Sequence, residues 1–302
     1  MPRVVFLLVP EFHLLDLSGP AQVFSAAADL GHDYRLSYVA ERPEVPSAQG
    51  VTVRADVDWP ELDADDLVVV PGWRAPTLAG RGHLSAQTLR RLAAHHEAGG
   101  TVASVCAGAD ALGRAGLLDG RRCTTHHALQ EELARRYPRA TVVRDVLYVV
   151  DDGVVTSAGI ASGIDLALHL VAVRHGPGVA GRVARGMVVY ARRNGDEQQT
   201  SVMLRHRSHL CDAVHRAQDV IDARYTERLK LAELAAACGV SERTLTRLFT
   251  KATGMTPLRY QQALRVERAE HLIGQGATVE AAARAVGFQD ARMLRRLRSR
   301  AA

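Results

Sequence analysis

A pattern that occurs twice near the C-terminus constrains this chain most. The first copy reads Leu234-Ala235, then Gly239, then Leu245 and Phe249; the second reads Ala282-Ala283, then Gly287, then Met293 and Leu297. In each, a small residue suits the crossing of two helices, a Gly four positions later permits the turn, and an apolar anchor follows six positions on. That is helix-turn-helix spacing. Two copies in one short segment, each followed by an Arg-bearing helix, predict two adjacent contacts with the DNA major groove.

Charge placement agrees. Residues 203–302 carry 18 Arg and Lys against 10 Asp and Glu, a net of +8, whereas residues 1–202 carry 20 against 23, a net of −3. A basic C-terminal third is an electrostatic footprint for phosphates. Only Lys230 and Lys251 are lysines, a bias expected of a GC-rich bacterial genome.

The 302 residues suffice for about two domains. No run approaches the roughly 18 apolar residues of a membrane span. Met1-Pro2-Arg3-Val4-Val5-Phe6 leads straight into a strand-like stretch and not a signal peptide. Cys106, Cys123, Cys211 and Cys238 show no CxxC or metal-ligand spacing, which fits a reducing cytoplasm. No metal or cofactor is expected: neither His95-His96 nor the pair His169 and His175 has a carboxylate at metal spacing, and there is no phosphate loop.

The first ~200 residues alternate strand and helix patterns, the mark of an α/β sandwich. Arg3–Val9, Tyr34–Ala40, Leu67–Val70, Thr101–Val105, Leu147–Val150 and Val154–Ser157 read as strands. Ser18-Gly19-Pro20 reads as the cap of a helix through about Leu30, and Ser85–Ala98, Ser162–Arg174 and Val179–Tyr190 as further helices. The polar stretch 193–202 reads as a linker between a domain at 1–192 and an all-α domain at 203–302.

In the first helix-turn-helix, at about 229–250, Ser241 caps a helix that exposes Glu242, Arg243, Thr246 and Arg247 while Leu245, Leu248 and Phe249 face inward. Arg side chains make bidentate bonds to guanine O6 and N7. Lys251 and Arg259 are placed for phosphates, which fix register without reading sequence. The second unit, at about 278–298, exposes Arg292, Arg295 and Arg296. A rigid helix between the units would set two reading helices about one DNA turn, roughly 34 Å, apart.

With these residues in view, the stretch from Thr226 onward resembles the AraC-type regulator DNA-binding domain. The likeness includes Gly254-Met255-Thr256-Pro257-Leu258-Arg259-Tyr260, the linking helix Arg265–Ile273 and Val286-Gly287-Phe288. It implies base contacts at Arg243, Thr246 and Arg247, then at Ala291, Arg292, Arg295 and Arg296. The chain departs from that family where Arg298 stands at a usual aromatic.

In the N-terminal half, Thr101–Val105 runs into Cys106-Ala107-Gly108-Ala109-Asp110 as a strand, a sharp turn and a helix. Such an elbow exposes a nucleophile, and a helix dipole favours its thiolate. His126, in Thr124-Thr125-His126-His127, could supply a base, and Asp16 is expected in a loop after the first strand. All three fall at strand C-terminal ends, where α/β folds build sites. This half resembles the glutamine-amidotransferase-like (intracellular-protease-like) superfamily, specifically the sensor domain of GlxA-type regulators. The matching stretches are Leu15–Pro20, Val70-Pro71-Gly72, Val105–Ala109, Ala115–Gly120, Thr124–His126, Thr156–Gly159 and Gly163–His169. The resemblance implies a flavodoxin-like fold and a pocket at Asp16, Gly72, Cys106, Ala107, His126 and Gly159. Trp73 and His127 replace a usual Gly and Trp and are expected to reshape it.

Three readings of Cys106 stand side by side: a nucleophile of a hydrolase, hydratase or amidase with Asp16 or His126 moving protons, a pocket or redox sensor, and a packed turn residue. Fusion to a DNA-reading half weights sensing over turnover. The expectation is therefore a non-enzymatic, cytoplasmic transcription regulator. Its expected partners are double-stranded promoter DNA, a small-molecule effector, a second copy of the chain and RNA polymerase.

Overall fold

Apolar runs buried on both faces build the sheet of the N-terminal half, as expected for mostly parallel strands covered on each side. In order the elements are β1 (Arg3–Leu7), α1 (Leu14–Asp29), β2 (Arg35–Val39), β3 (Glu44–Pro46), β4 (Thr52–Arg54), β5 (Leu67–Val70), α2 (Ala86–Glu97) and β6 (Thr101–Val105). There follow α3 (Ala109–Arg114), β7 (Arg122–Cys123), α4 (Gln130–Arg136), β8 (Thr141–Val142), β9 (Tyr148–Asp151), β10 (Val154–Ser157), α5 (Ser162–His175) and α6 (Pro177–Gly186). The computed structural model describes residues 2–78, 84–189, 193–196, 199, 206–207, 209–274 and 276–299. The chain divides into two compact units, residues 1–199 and 200–302.

The six-stranded sheet runs β2-β1-β5-β6-β10-β9, parallel except for β9, which pairs antiparallel with β10. From β1 the chain crosses left to β2 through α1, and from β5 it crosses right to β6 through α2. Right-handed crossovers put those two helices on opposite faces. α5 and α6 pack with α1 and so share its face. The reversal places the topological switch point, where such sheets bind ligands, at the C-terminal ends of β1 and β5. This is the flavodoxin-like α/β architecture expected.

One expectation changes. α1 starts at Leu14 and not at Ser18, so Asp16 lies in its first turn and Pro20 lies inside the helix. The cap is remote: the Leu14 amide donates to Gln49 Oε1 at 2.9 Å, a partner 35 residues away. Asp66, just before β5, is buried and accepts from the amides of Arg3 at 2.6 Å and Asp63 at 2.9 Å.

The C-terminal unit contains α7 (Asp212–Ala223), α8 (Leu231–Ala237), α9 (Glu242–Thr253), α10 (Pro257–Gly274), α11 (Val279–Ala285) and α12 (Ala291–Arg298). α8 and α9 form the first helix-turn-helix, α11 and α12 the second, and α10 joins them. Tyr190 and Arg300 lie outside the described residues. Among the described residues no helix is long and apolar enough to cross a membrane.

Candidate sensor pocket and nucleic-acid interface

Cys106 leaves β6 with φ +55°, a left-handed backbone rare for a side-chain-bearing residue, and opens a one-turn 3-10 helix, Cys106–Gly108, before α3. Such a conformation costs about 1–3 kcal/mol and persists where its surroundings enforce it. Here Thr125 Oγ1 donates to the Cys106 carbonyl at 2.7 Å. Gly159 backs against the elbow so closely that a Cβ on it would lie 2.4 Å from Cys106 Cβ.

Asp16 is fully buried beside this turn. Its Oδ2 accepts from the Gly72 amide at 3.1 Å, while its Oδ1 is buried with no hydrogen-bond partner among the described residues. Burial pushes the carboxyl up to about 7, against the opposing effect of the Gly72 bond. The Cys106 thiol is pushed up to about 12, first by burial and then by the Asp16 charge, with the Ala107 amide opposing. The expected thiolate stabilisation by a helix dipole is therefore outweighed. The only helix start at Cys106 is a single 3-10 turn, and desolvation dominates.

His126 caps its own one-turn helix, its Nδ1 accepting from the Ala128 amide at 3.3 Å, which leaves the ring proton on Nε2. Burial first, then His127 and His13, depress its pKa. That coupling brings His13 to the site, a residue the sequence reading missed although it lies three positions before Asp16. The His13 amide donates to the Gly72 carbonyl at 2.8 Å. Trp73 is buried and forms an isolated bridge with Phe12. The structure thus gathers Asp16, Gly72, Cys106, Ala107 and Gly159 into one contact group, with Thr125 tying the His126 turn to it. Cys123 and Cys238 are buried, and Cys211 is half-buried.

Part of the stretch expected as a linker is bonded to the sheet unit. Arg193 forms an ion pair with the buried Asp165 through Nη2 at 2.5 Å and Nε at 3.1 Å. The Gly195 carbonyl accepts from Leu147 at 2.8 Å. Gln199 Nε2 donates to the carbonyls of Thr125 at 3.0 Å and Val146 at 3.1 Å, and its amide donates to Asp145 Oδ1 at 3.1 Å. Residues 197–198 and 200–202 of that stretch lie outside the described residues.

In the first helix-turn-helix, Ser241 Oγ accepts from the Thr244 amide at 3.2 Å and caps α9, and Leu245 and Phe249 are fully buried. Leu248 is half-buried. Arg243, Arg247 and Lys251 are exposed, with no ion-pair partner among the described residues. Thr246 is half-buried, and its hydroxyl donates to the Glu242 carbonyl of its own helix at 2.9 Å. In the second unit Asp290 caps α12, accepting from Arg292 at 2.9 Å and Met293 at 3.1 Å. The buried anchor is Leu294, not Met293 or Leu297, both half-buried. Gln289 adds one residue between turn and cap, so a fixed offset from Gly287 falls one position short. Arg292 and Arg296 are exposed; Arg295 pairs with Glu280, and Arg298 Nε lies 3.4 Å from Glu270 Oε1.

A flavodoxin-like sheet domain followed in the chain by two helix-turn-helix units defines a DNA-binding transcription regulator. A DJ-1/PfpI family model matches residues 2–173, and a helix-turn-helix domain model matches residues 234–301. The chain is 32% identical over 276 residues to HTH-type transcriptional regulator CdhR of Pseudomonas aeruginosa, covering 89% of this chain and 80% of that one. It is 35% identical over 170 residues to an isonitrile hydratase of Pseudomonas putida, covering 56% of this chain and 70% of that protein. The crystal structure of an AraC family transcriptional regulator from Pseudomonas putida superposes with a TM-score of 0.54 at 26% identity, covering 62% of this chain and 100% of that one. The chain belongs to the DJ-1/PfpI family, among its members fused to an AraC-type helix-turn-helix domain.

Proposed function

We propose that this regulator is a cytoplasmic, one-component, non-enzymatic sensor. Its N-terminal domain, residues 1–192, pairs two chains and binds a small metabolite at Asp16, Gly72, Trp73, Cys106, Ala107, His126 and Gly159. Its C-terminal domain, residues 203–302, reads a promoter through Ser241, Arg243, Thr246, Arg247, Lys251, Arg292, Arg295 and Arg296 and meets RNA polymerase there. The buried, unbonded Asp16 Oδ1 supports a pocket that offers a ligand one strong polar contact. Ligand binding shifts the equilibrium between DNA-binding states.

The observation that carries the DNA reading is the set of exposed, unpaired guanidinium groups on α9, held in place by a capped and doubly anchored helix. α12 is shorter, has one buried anchor, and has two arginines tied to glutamates. The first unit therefore carries most of the specificity. The test is binding to sequences selected from a random DNA pool, titrated with salt. Arg247→Ala is expected to cost about 1–3 kcal/mol and relax preference at one base pair. Arg296→Ala is expected to relax sequence preference less than Arg247→Ala does and to lower the salt slope by about 1. Affinity indifferent to salt and to both substitutions refutes the reading.

A second reading is turnover at Cys106 by a hydratase-like reaction, favoured by the strained elbow and the isonitrile hydratase similarity. The protonated thiol weighs against it and against redox sensing. Turnover abolished by Cys106→Ser with operator binding intact would establish the hydratase reading. An operator affinity shift by peroxide would establish the redox one.

A further inference from the structure

The two helix-turn-helix units do not share a core. Val214, Ile221, Leu245, Phe249 and Tyr260 belong to one buried cluster, and Ala269, Ala282, Val286 and Leu294 to another. Half-buried Tyr225 packs against both. α10 runs past both clusters, but a shared helix axis leaves each unit free to roll and tilt about it unless side contacts stop it.

Those contacts converge on Arg265, near the middle of α10. Its Nε donates to the Tyr225 carbonyl at 2.6 Å, its Nη2 to the Glu227 carbonyl at 2.7 Å, and its Nη1 to the Gly287 carbonyl at 2.9 Å. Its guanidinium carbon lies 5.6 Å from the Phe288 ring centroid. One planar fork thus grips the segment that leads into the first unit and the turn of the second. Gln261, one turn earlier, doubles the first grip, with Nε2 donating to Tyr225 at 2.9 Å and Glu227 at 2.8 Å. The two gripped segments touch backbone to backbone: a Cβ on Gly287 would lie 2.0 Å from the Thr226 carbonyl oxygen. The acceptors that Arg265 reaches are main-chain carbonyls, and burial depresses its pKa. A half-buried cation serving only main-chain oxygens contributes geometry more than ion pairing.

We propose that Arg265 is a positioning residue that fixes the separation and phase of α9 and α12 on DNA. This rests on the reading that both units contact one duplex. A lysine ammonium cannot reproduce the role, because a single point charge does not span three carbonyls set by a planar fork. Rigid coupling makes the second contact effectively intramolecular, and a loosened seam lowers its effective concentration.

The test uses the full chain and the site that the wild type selects from random DNA. Three duplexes are compared: the whole site, the site with one base pair inserted between the two contacted grooves, and a short duplex holding the first unit's groove alone. The insertion is expected to cost the wild type about tenfold or more, and Arg265→Lys less than about threefold, with Arg265→Lys weaker than the wild type on the whole site. Binding to the short duplex is expected to stay within about twofold of wild type. Gln261→Met, which loosens only the first grip, is expected to reduce the insertion penalty by a smaller factor and serves should the lysine variant fail to fold. An undiminished insertion penalty in both variants, or equal losses on short and whole duplexes as from general destabilisation, overturns the proposal. A wild type that is itself indifferent to the insertion overturns the two-unit reading instead and removes this proposal with it.

Discussion

Asp16 has one oxygen bonded to the Gly72 amide and the other buried without a partner, and this arrangement has a consequence for stability. The folded carboxyl keeps its proton up to about pH 7, whereas the unfolded one releases it near 3.8. Between those values the native state binds the extra proton, so stability falls as pH rises and levels off above the folded value. A span of about three pH units corresponds to at most about 4 kcal/mol. Asp16→Asn keeps an oxygen for Gly72 and removes the charge. It is expected to flatten the pH dependence and to stabilise the protein at pH 8 by up to that amount, as read from urea melts across the window. Parallel wild-type and variant curves would show that Asp16 is solvated or paired in solution. Cys106 adds no slope near neutrality, because burial moves its titration further from that range.

At the scale of elements, the two helix-turn-helix turns look alike in sequence but differ in tolerance. Gly239 and Gly287 both have positive φ, +69° and +85°, so an alanine at either is strained by roughly 1–2 kcal/mol. A Cβ at position 239 meets open space, whereas at 287 it meets the Thr226 carbonyl. Gly239→Ala is expected to cost only the backbone term and to keep DNA binding. Gly287→Ala is expected to displace the second unit, with a larger loss in thermal melts and in affinity for the whole site. The spacing of the first unit was legible because its cap and anchors are local: Ser241, Leu245 and Phe249 obey one helical period. The second unit's anchor was not, because Gln289 shifts the frame and Leu294 takes the place expected of Met293. The same limit applies in the sheet domain. Strand ends, and with them Cys106, followed from apolar runs and turn residues, whereas Gly72 and Gly159 came only from the family resemblance. The start of α1 depends on Gln49, and the support of the elbow on Thr125 and Gln199, contacts that no local pattern encodes.

For the molecule as a whole, the question is how an event at Cys106 reaches a DNA-binding domain whose net charge is positive. The bonds of Arg193, Gly195 and Gln199 to the sheet unit make the end of that unit the place to test. Thr125 holds the Cys106 carbonyl with its hydroxyl and offers its own carbonyl to Gln199, the last residue of the sheet unit, and also to Gln130 at 3.2 Å. A ligand that moves the elbow must move Thr125 or break its bond, and either change alters the seat of Gln199. Coupling free energies between sites are typically 1–3 kcal/mol, about 5- to 150-fold in affinity. Cys106→Phe, which forces a larger side chain against Gly72 and Gly159, is expected to shift operator affinity within that range. Gln199→Ala is expected to leave binding by the otherwise wild-type chain within about twofold and to abolish most of the Cys106→Phe shift. An unchanged shift in Gln199→Ala would mean that the signal bypasses this stretch, because removing the Gln199 side chain takes away both carbonyl bonds that seat it.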